Sequence, residues 1–221
     1  MEEVSRNFHA VSLPDQLAEH LNHTGNMLRG FFWSTQLQFM NKMGYLEGRD
    51  AGGTCEKIVS IVKMIPGAAS GFLGHCLIGL SNRFHSREFA YWEGEGKFIS
   101  PEQLKVMHLN VCMFPGSLPF HFGKQAPATE RMGQLFSQIK ESNPALIFLS
   151  EFSQVFTGKL CNRLKGEYKQ FFLNIGSNAC GIEASLAVVS KVPILSASFI
   201  PTAVEAAGDQ KLAYRGYFIV E

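Results

Sequence analysis

The fold of this chain is decided by residues 145–151, ALIFLSE, in which six uncharged residues lead to Glu151. A short apolar run that starts directly after Asn143-Pro144 is typical of a strand buried on both faces. Outward from this run, strand-like and helix-like segments alternate. We predict helices at 129–142 and 154–165, and strands at 105–114, 145–150, 168–175, 184–190, 195–201 and 214–221. The alternation predicts a layered α/β domain over residues 103–221.

Residues 1–100 have a different pattern, which predicts a mainly helical region. Between residues 17 and 40 the apolar side chains recur at a spacing near 3.6, as on one face of a helix. Residues 58–80 follow as an apolar segment in which only Lys63 and His75 can carry a charge. A segment of this length is sufficient to span a bilayer.

Pro66 and Gly67 interrupt this apolar segment. Proline removes a backbone hydrogen bond and glycine costs backbone entropy, so one continuous helix is not expected. One interpretation is a membrane-associated or re-entrant hairpin, and the other is two short buried helices joined at Pro66. Residues 83–92 bring arginines and aromatic rings, which suit either an interfacial flank or a surface loop packed on a core.

Composition excludes several classes of protein. With 46% hydrophobic and 18% charged residues, the chain can build a core and is not a disordered tail. The net charge of +1 gives no overall basic field, so nucleic acid is the less expected partner. Five cysteines without a CxxC pair argue against a disulfide framework or a zinc site. The acidic N-terminus shows no cleavable signal peptide, so we expect a cytoplasmic or membrane-associated protein.

Two polar side chains interrupt or end apolar strands, Asn110 inside LNVCMFPG and Glu151 after ALIFLS. If these strands are neighbours in one sheet, the amide and the carboxylate converge on one divalent cation. Glu151 would be the hard oxygen ligand and Asn110 would orient phosphate or metal-bound water. The alternative is that Asn110 satisfies backbone groups and Glu151 caps the following helix.

The order of these motifs resembles the endonuclease/exonuclease/phosphatase superfamily, and within it the neutral sphingomyelinase branch. The resemblance covers residues 103–221 and rests on LNVCMFPG, on a helix led by Arg131, on PALIFLSEF, on GIEASLAVVSKVPI and on KLAYRGYFIVE. It implies a four-layer αββα sandwich and Mg²⁺-assisted cleavage of a phosphodiester or phosphomonoester. It also implies that Glu151 matches the metal-binding glutamate and Asn110 the phosphate-contacting asparagine. A phospholipid such as sphingomyelin is the implied substrate.

The sequence departs from this family after residue 221. A complete member continues with an Asn-Thr-His strand, a Gly-Asp-x-Asn segment and a terminal Asp-His pair. His108 and His121 match none of these positions, while Lys124 and Arg131 are either phosphate contacts or solvated surface residues. We therefore expect an incomplete domain, the N-terminal part of the sandwich, that is inactive alone.

Three explanations stay open for this departure: a separate chain that supplies the C-terminal half, a truncated remnant, or a non-catalytic membrane-associated interaction protein. A fragment of a nuclease of the same superfamily is the remaining alternative.

Overall fold

The computed structural model of the protein describes residues 13–45, 51–84, 88–113, 126, 128–176, 186–201 and 216–221. Within these ranges the helices are α1 Leu13–Lys42, α2 Thr54–Phe84, α3 Ala128–Ser142 and α4 Thr157–Leu164, with a 3₁₀ turn at Gln154–Phe156. The strands are β1 Ala90–Glu93, β2 Val106–Met113, β3 Leu146–Phe152, β4 Gln170–Ile175, β5 Leu186–Ser190, β6 Ala197–Pro201 and β7 Gly216–Val220. The chain is mixed α/β, as the sequence predicts.

Five of these strands form one mixed sheet in the order β1-β4-β5-β3-β2. β2 and β3 run parallel, and each other neighbouring pair is antiparallel. β6 and β7 form a separate antiparallel pair. Because β2 and β3 are parallel neighbours, their carboxyl ends meet at one edge of the sheet.

Alternate side chains of the central strand β3 enter two different cores. Ile147 and Leu149 pack with residues of α3 and α4, which cover one face of the sheet. Leu146 and Phe148 lie on the opposite face, against Phe199 of β6 and Phe218 of β7. The described layers are therefore helices, the five-stranded sheet and the β6–β7 pair.

The prediction for residues 58–80 is wrong in one respect, because α2 continues through Pro66 as a single helix of 31 residues. It packs antiparallel to α1, and the contacts on α1 explain its continuity. Ser70 Oγ donates to the main-chain oxygen of Leu28 at 2.9 Å, and Ser81 Oγ donates to that of Ala18 at 2.7 Å. Tertiary packing along the helix thus overrides the local cost of the proline.

Strand β1 is an element that the sequence pattern did not predict. It pairs with β4, with Tyr91 opposite Phe172. The rings of Phe89 and Tyr91 lie 5.5 and 5.3 Å from that of Phe172. These aromatic residues pack back on the core, in agreement with the second of the two interpretations of residues 83–92.

Candidate functional site

The parallel ends of β2 and β3 bring the two predicted site residues together. Asn110 lies opposite Ser150 in the register of the pair, and Glu151 follows Ser150 directly. Asn110 Nδ2 donates a hydrogen bond of 2.7 Å to Glu151 Oε1. Asn110 is exposed and Glu151 is half-buried, so both side chains are accessible from solvent.

The orientation of the Asn110 amide is fixed by its partners. Its Oδ1 accepts a hydrogen bond of 3.1 Å from the main-chain N–H of Cys112. A carboxylate only accepts and a main-chain N–H only donates, so the amide nitrogen must face Glu151. In this arrangement Asn110 positions the carboxylate, and Glu151 is the residue that offers oxygen lone pairs to a cation.

The backbone at this edge of the sheet is unusual on both strands. The register slips by one residue between Asn110 and Met113 on β2 and between Ser150 and Phe152 on β3, which makes a β-bulge. At the slip, Cys112 has φ 46° and Glu151 has φ 56°. Non-glycine residues rarely adopt these angles, and such strain concentrates where a structure constrains a functional group.

Arg131 of α3 holds this bulge through main-chain oxygen atoms. Its Nη1 donates to Val111 at 2.6 Å and its Nη2 donates to Cys112 at 2.6 Å. Its Nε donates to Ala126 at 2.8 Å. The guanidinium therefore anchors the backbone beside Glu151. The sequence analysis did not predict this role, because it considered Arg131 only as a phosphate contact or a solvated surface residue.

Cys112 is a member of the site that sequence reasoning missed. Burial raises the pKa of its thiol, the nearby Glu151 carboxylate raises that pKa further, and the Arg131 guanidinium opposes them. The thiol also makes a hydrogen bond with Glu151. A usable signal was present in the sequence, because residues two apart on a strand point to the same face, and Cys112 follows Asn110 by two.

Glu151 does not cap the helical turn that follows β3, which was the alternative prediction for this residue. Ser153 caps the 3₁₀ turn, where its side chain accepts from the N–H of Val155. His108 is exposed and lines a cavity of about 300 Å³ with Ser150 and residues of β5 and β7. His121 and Lys124 lie outside the described residues.

The chemistry of this site rests on one carboxylate. Across the part of the chain that the structure describes, no three His, Cys, Asp or Glu side chains gather as a metal-binding group. Mg²⁺ is nevertheless commonly held by one or two carboxylates, with waters and substrate phosphate oxygens as its other ligands. Glu151 fits such a site as a hard oxygen donor. A comparison of the chain with family models, curated proteins and solved structures finds no match.

Proposed function

We propose that the chain is a member of the endonuclease/exonuclease/phosphatase superfamily and carries the cation-binding part of a Mg²⁺-dependent phosphodiesterase site. The proposed substrate class is a phospholipid such as sphingomyelin. The observation that supports this most is the 2.7 Å hydrogen bond between Asn110 and Glu151 at the ends of two parallel strands. The sequence motifs that resemble this superfamily contain the same two residues.

The layering of the fold also supports the proposal. Helices cover one face of the five-stranded sheet, and the β6–β7 pair covers the other. We propose that these layers correspond to the helix, first sheet and second sheet of an αββα sandwich. The ends of β2 and β3 are then the edge at which the substrate phosphate is bound.

Each residue of the site has a separate proposed task. Glu151 holds the cation, and Asn110 fixes the orientation of the carboxylate through its amide hydrogen bond. Arg131 secures the strained main chain from which these groups project. When bound, the cation supplies charge neutralisation and polarisation of the phosphoryl oxygen. Asn110 and Glu151 remain accessible to a phosphoric ester from solvent.

A matched pair of variants tests this function on the 221-residue chain. Phosphocholine release from sphingomyelin vesicles and hydrolysis of bis(p-nitrophenyl) phosphate are measured with and without Mg²⁺. Glu151→Gln removes the ligand charge, while Glu141→Gln removes the same charge at an exposed position of α3. Turnover that disappears only in Glu151→Gln supports the enzyme. Mg²⁺ binding that depends on Glu151, without turnover, supports the proposed cation site and agrees with the expectation that the chain is inactive alone.

A second candidate is a non-catalytic membrane-associated interaction protein. The specific observation in its favour is the exposed apolar surface of α2, where Ile65 and Phe72 are 71% and 73% exposed. Failure to bind Mg²⁺, together with binding to lipid vesicles, would favour this candidate over the phosphodiesterase.

A further inference from the structure

One side of α2 is an uninterrupted apolar surface. We call it the outer stripe and define it by seven side chains that are 42% to 73% exposed: Ile58, Ile61, Val62, Ile65, Phe72, Leu73 and Leu80. With about 100° between successive helical residues, all seven lie within about 60° of the direction of Ile58. Cys76 is exposed and lies in the same direction. The outer stripe extends over about 33 Å of helix.

The opposite side of α2 is occupied by α1. A Cβ atom built on Gly74 would lie 2.6 Å from the main-chain oxygen of Gly25, and one on Gly71 would lie 2.8 Å from Cγ of Phe32. These glycines let the two helices approach closely, as small residues do between helices in membranes. Because α1 contacts this side, the outer stripe faces away from α1.

In the antiparallel pair of α1 and α2, which we call the helical hairpin, α1 buries several polar residues and exposes several large apolar ones. α1 buries Asn22, Asn26, Arg29 and Thr35, which are all less than 10% exposed. On the same helix, exposed large apolar side chains are Leu13, Leu17, Met27 and Phe31. Helices in water place their apolar residues inwards. Polar residues inwards and apolar residues outwards is the arrangement that suits contact with hydrocarbon.

The charges of α2 complement an anionic lipid surface. The acidic residue of α2, Glu56 in its first turn, forms a 2.8 Å ion pair with Lys42, and residues 57–84 contain no Asp or Glu. The cations are Lys57 and Arg83 near the ends of the helix and Lys63, which lies about 140° away from the direction of Ile58. The outer stripe itself carries no charge, and Arg83 follows it by less than one turn, where it can reach phosphate headgroups.

We propose that the outer stripe of α2 docks this protein on a lipid bilayer that contains anionic lipids, with the helix lying in the plane of the interface. The proposal does not rest on the phosphodiesterase activity. Residues 54–81 of α2 contain an 18-residue window with a mean hydropathy of 1.4, so by length and composition α2 could cross a membrane. The contacts of α1 decide between a helix that crosses the bilayer and a helix that lies in the plane of its interface.

The middle of α1 is fixed to the α/β layers. Asn26 Nδ2 donates to Gln154 Oε1 at 3.3 Å, and Asn174 Nδ2 donates to Asn22 Oδ1 at 3.3 Å. If the helical hairpin crossed the bilayer, the contacts at the middle of α1 would carry the α/β layers into the hydrocarbon. Burying their polar groups there would have a high cost in free energy. With α2 in the interface plane, the outer stripe enters the lipid while the α/β layers stay in water.

A second copy of the chain is a poorer occupant of the outer stripe. The acidic residue of α2 is Glu56, which lies about 160° away from the direction of Ile58 and pairs with Lys42, so the outer stripe of that copy would bring no carboxylate towards Arg83. Anionic headgroups supply the missing negative charge. The exposed isoleucine and valine side chains between Ile58 and Ile65 further suit insertion into acyl chains, because about half or more of the surface of each is exposed.

Vesicle binding of the full chain tests the proposal. Flotation with phosphatidylcholine vesicles, with and without phosphatidylserine, is compared for the unmodified chain and for the double variant Ile65→Ser/Phe72→Ser. We expect the double variant to bind at least about tenfold more weakly. The matched control is Ile99→Ser/Leu104→Ser, which removes two exposed apolar side chains outside α2 and leaves binding unchanged. Arg83→Gln should lower the affinity for anionic vesicles roughly fivefold.

Natural cysteines give a readout that needs no variant. A water-soluble maleimide labels exposed Cys55 and Cys76, and mass spectrometry separates the sites; vesicles should protect Cys76, whereas the labelling rate of Cys112 at the candidate site should not change. Far-UV circular dichroism confirms that each variant is folded. Unprotected Cys76, equal binding by both double variants, or a stable dimer in place of vesicle binding would overturn the proposal. Resistance to extraction by alkaline carbonate would overturn the in-plane orientation.

Discussion

Replacing Asn110 by aspartate should turn the hydrogen bond at the candidate site into a repulsion. In Asn110→Asp, a second carboxylate would stand where Nδ2 now lies 2.7 Å from Glu151 Oε1. Asn110→Ala is the control without added charge, and it loses both the hydrogen bond to Glu151 and the one from the N–H of Cys112. The difference in unfolding free energy between the two variants therefore measures the charge repulsion, offset by the Cys112 hydrogen bond that only aspartate can keep.

The size of this difference follows from Coulomb's law. At a separation of about 3 Å, two unit charges repel by about 1.4 kcal/mol in bulk water and by about 5.5 kcal/mol at an effective dielectric constant of 20. Asn110 is exposed and Glu151 is half-buried, so the value should lie near the lower end. We expect Asn110→Asp to be about 2 kcal/mol less stable than Asn110→Ala at neutral pH.

The pH dependence has a definite sign. Repulsion raises the pKa of the carboxylate pair in the folded state, so the folded protein binds more protons than the unfolded chain. The stability of Asn110→Asp relative to Asn110→Ala should therefore fall as the pH rises from about 4 towards 7. Mg²⁺ should reverse this loss, since two carboxylates bind the cation more tightly than one.

Urea denaturation followed by circular dichroism, at pH 4.5 and 7.5 and with or without Mg²⁺, measures all of these effects. Equal stability of the two variants at both pH values would refute the contact between residues 110 and 151. A pH-dependent difference that Mg²⁺ leaves unchanged would keep the contact and refute the cation site.

Three further predictions concern other parts of the molecule. Gly74→Val should destabilise the protein by about 1–3 kcal/mol, because the new side chain meets the main-chain oxygen of Gly25; thermal unfolding measures it, with Gly79→Val as a control at a position open to solvent. Tyr168→Phe should lower the free energy of unfolding by about 1–2 kcal/mol, because it leaves the buried main-chain oxygen of Pro144 without its 2.9 Å hydrogen bond; urea denaturation measures it. The alkylation rate of Cys112 at pH 8 should increase in Glu151→Gln, because the lost charge lowers the raised pKa of that thiol.

The strands and helices of the α/β layers could be predicted from local pattern. Residues 129–142 were expected as a helix and form Ala128–Ser142, and residues 105–114 were expected as a strand and form Val106–Met113. In both segments the apolar period is clear, and Asn143-Pro144 gives a strong stop signal. Element type and boundary were therefore fixed by residues close in sequence.

The helical hairpin could not be predicted in the same way. The continuity of α2 through Pro66 depends on contacts with α1 between residues 42 and 63 positions apart in the sequence. The four residues of β1 also carry too short a pattern to identify a strand without its partner β4.

The candidate site was only partly accessible from sequence. Asn110 and Glu151 stood out because polar residues at the ends of apolar strands need partners, and they contact each other. The bulge at Cys112 was not accessible, because the Arg131 guanidinium that contacts the main-chain oxygens of Val111 and Cys112 lies 20 and 19 positions away in the sequence. The left-handed backbone of both Cys112 and Glu151 has no sequence signal such as glycine.

The most direct test of the central claim is cation binding by the purified chain, measured as the loss of free Mn²⁺ signal in electron paramagnetic resonance and as its displacement by Mg²⁺. We expect one site, abolished in Glu151→Gln, weakened in Asn110→Ala and retained in Glu141→Gln. Equal binding by Glu151→Gln and Glu141→Gln would contradict the account, because the cation would then be held without the carboxylate at the end of β3.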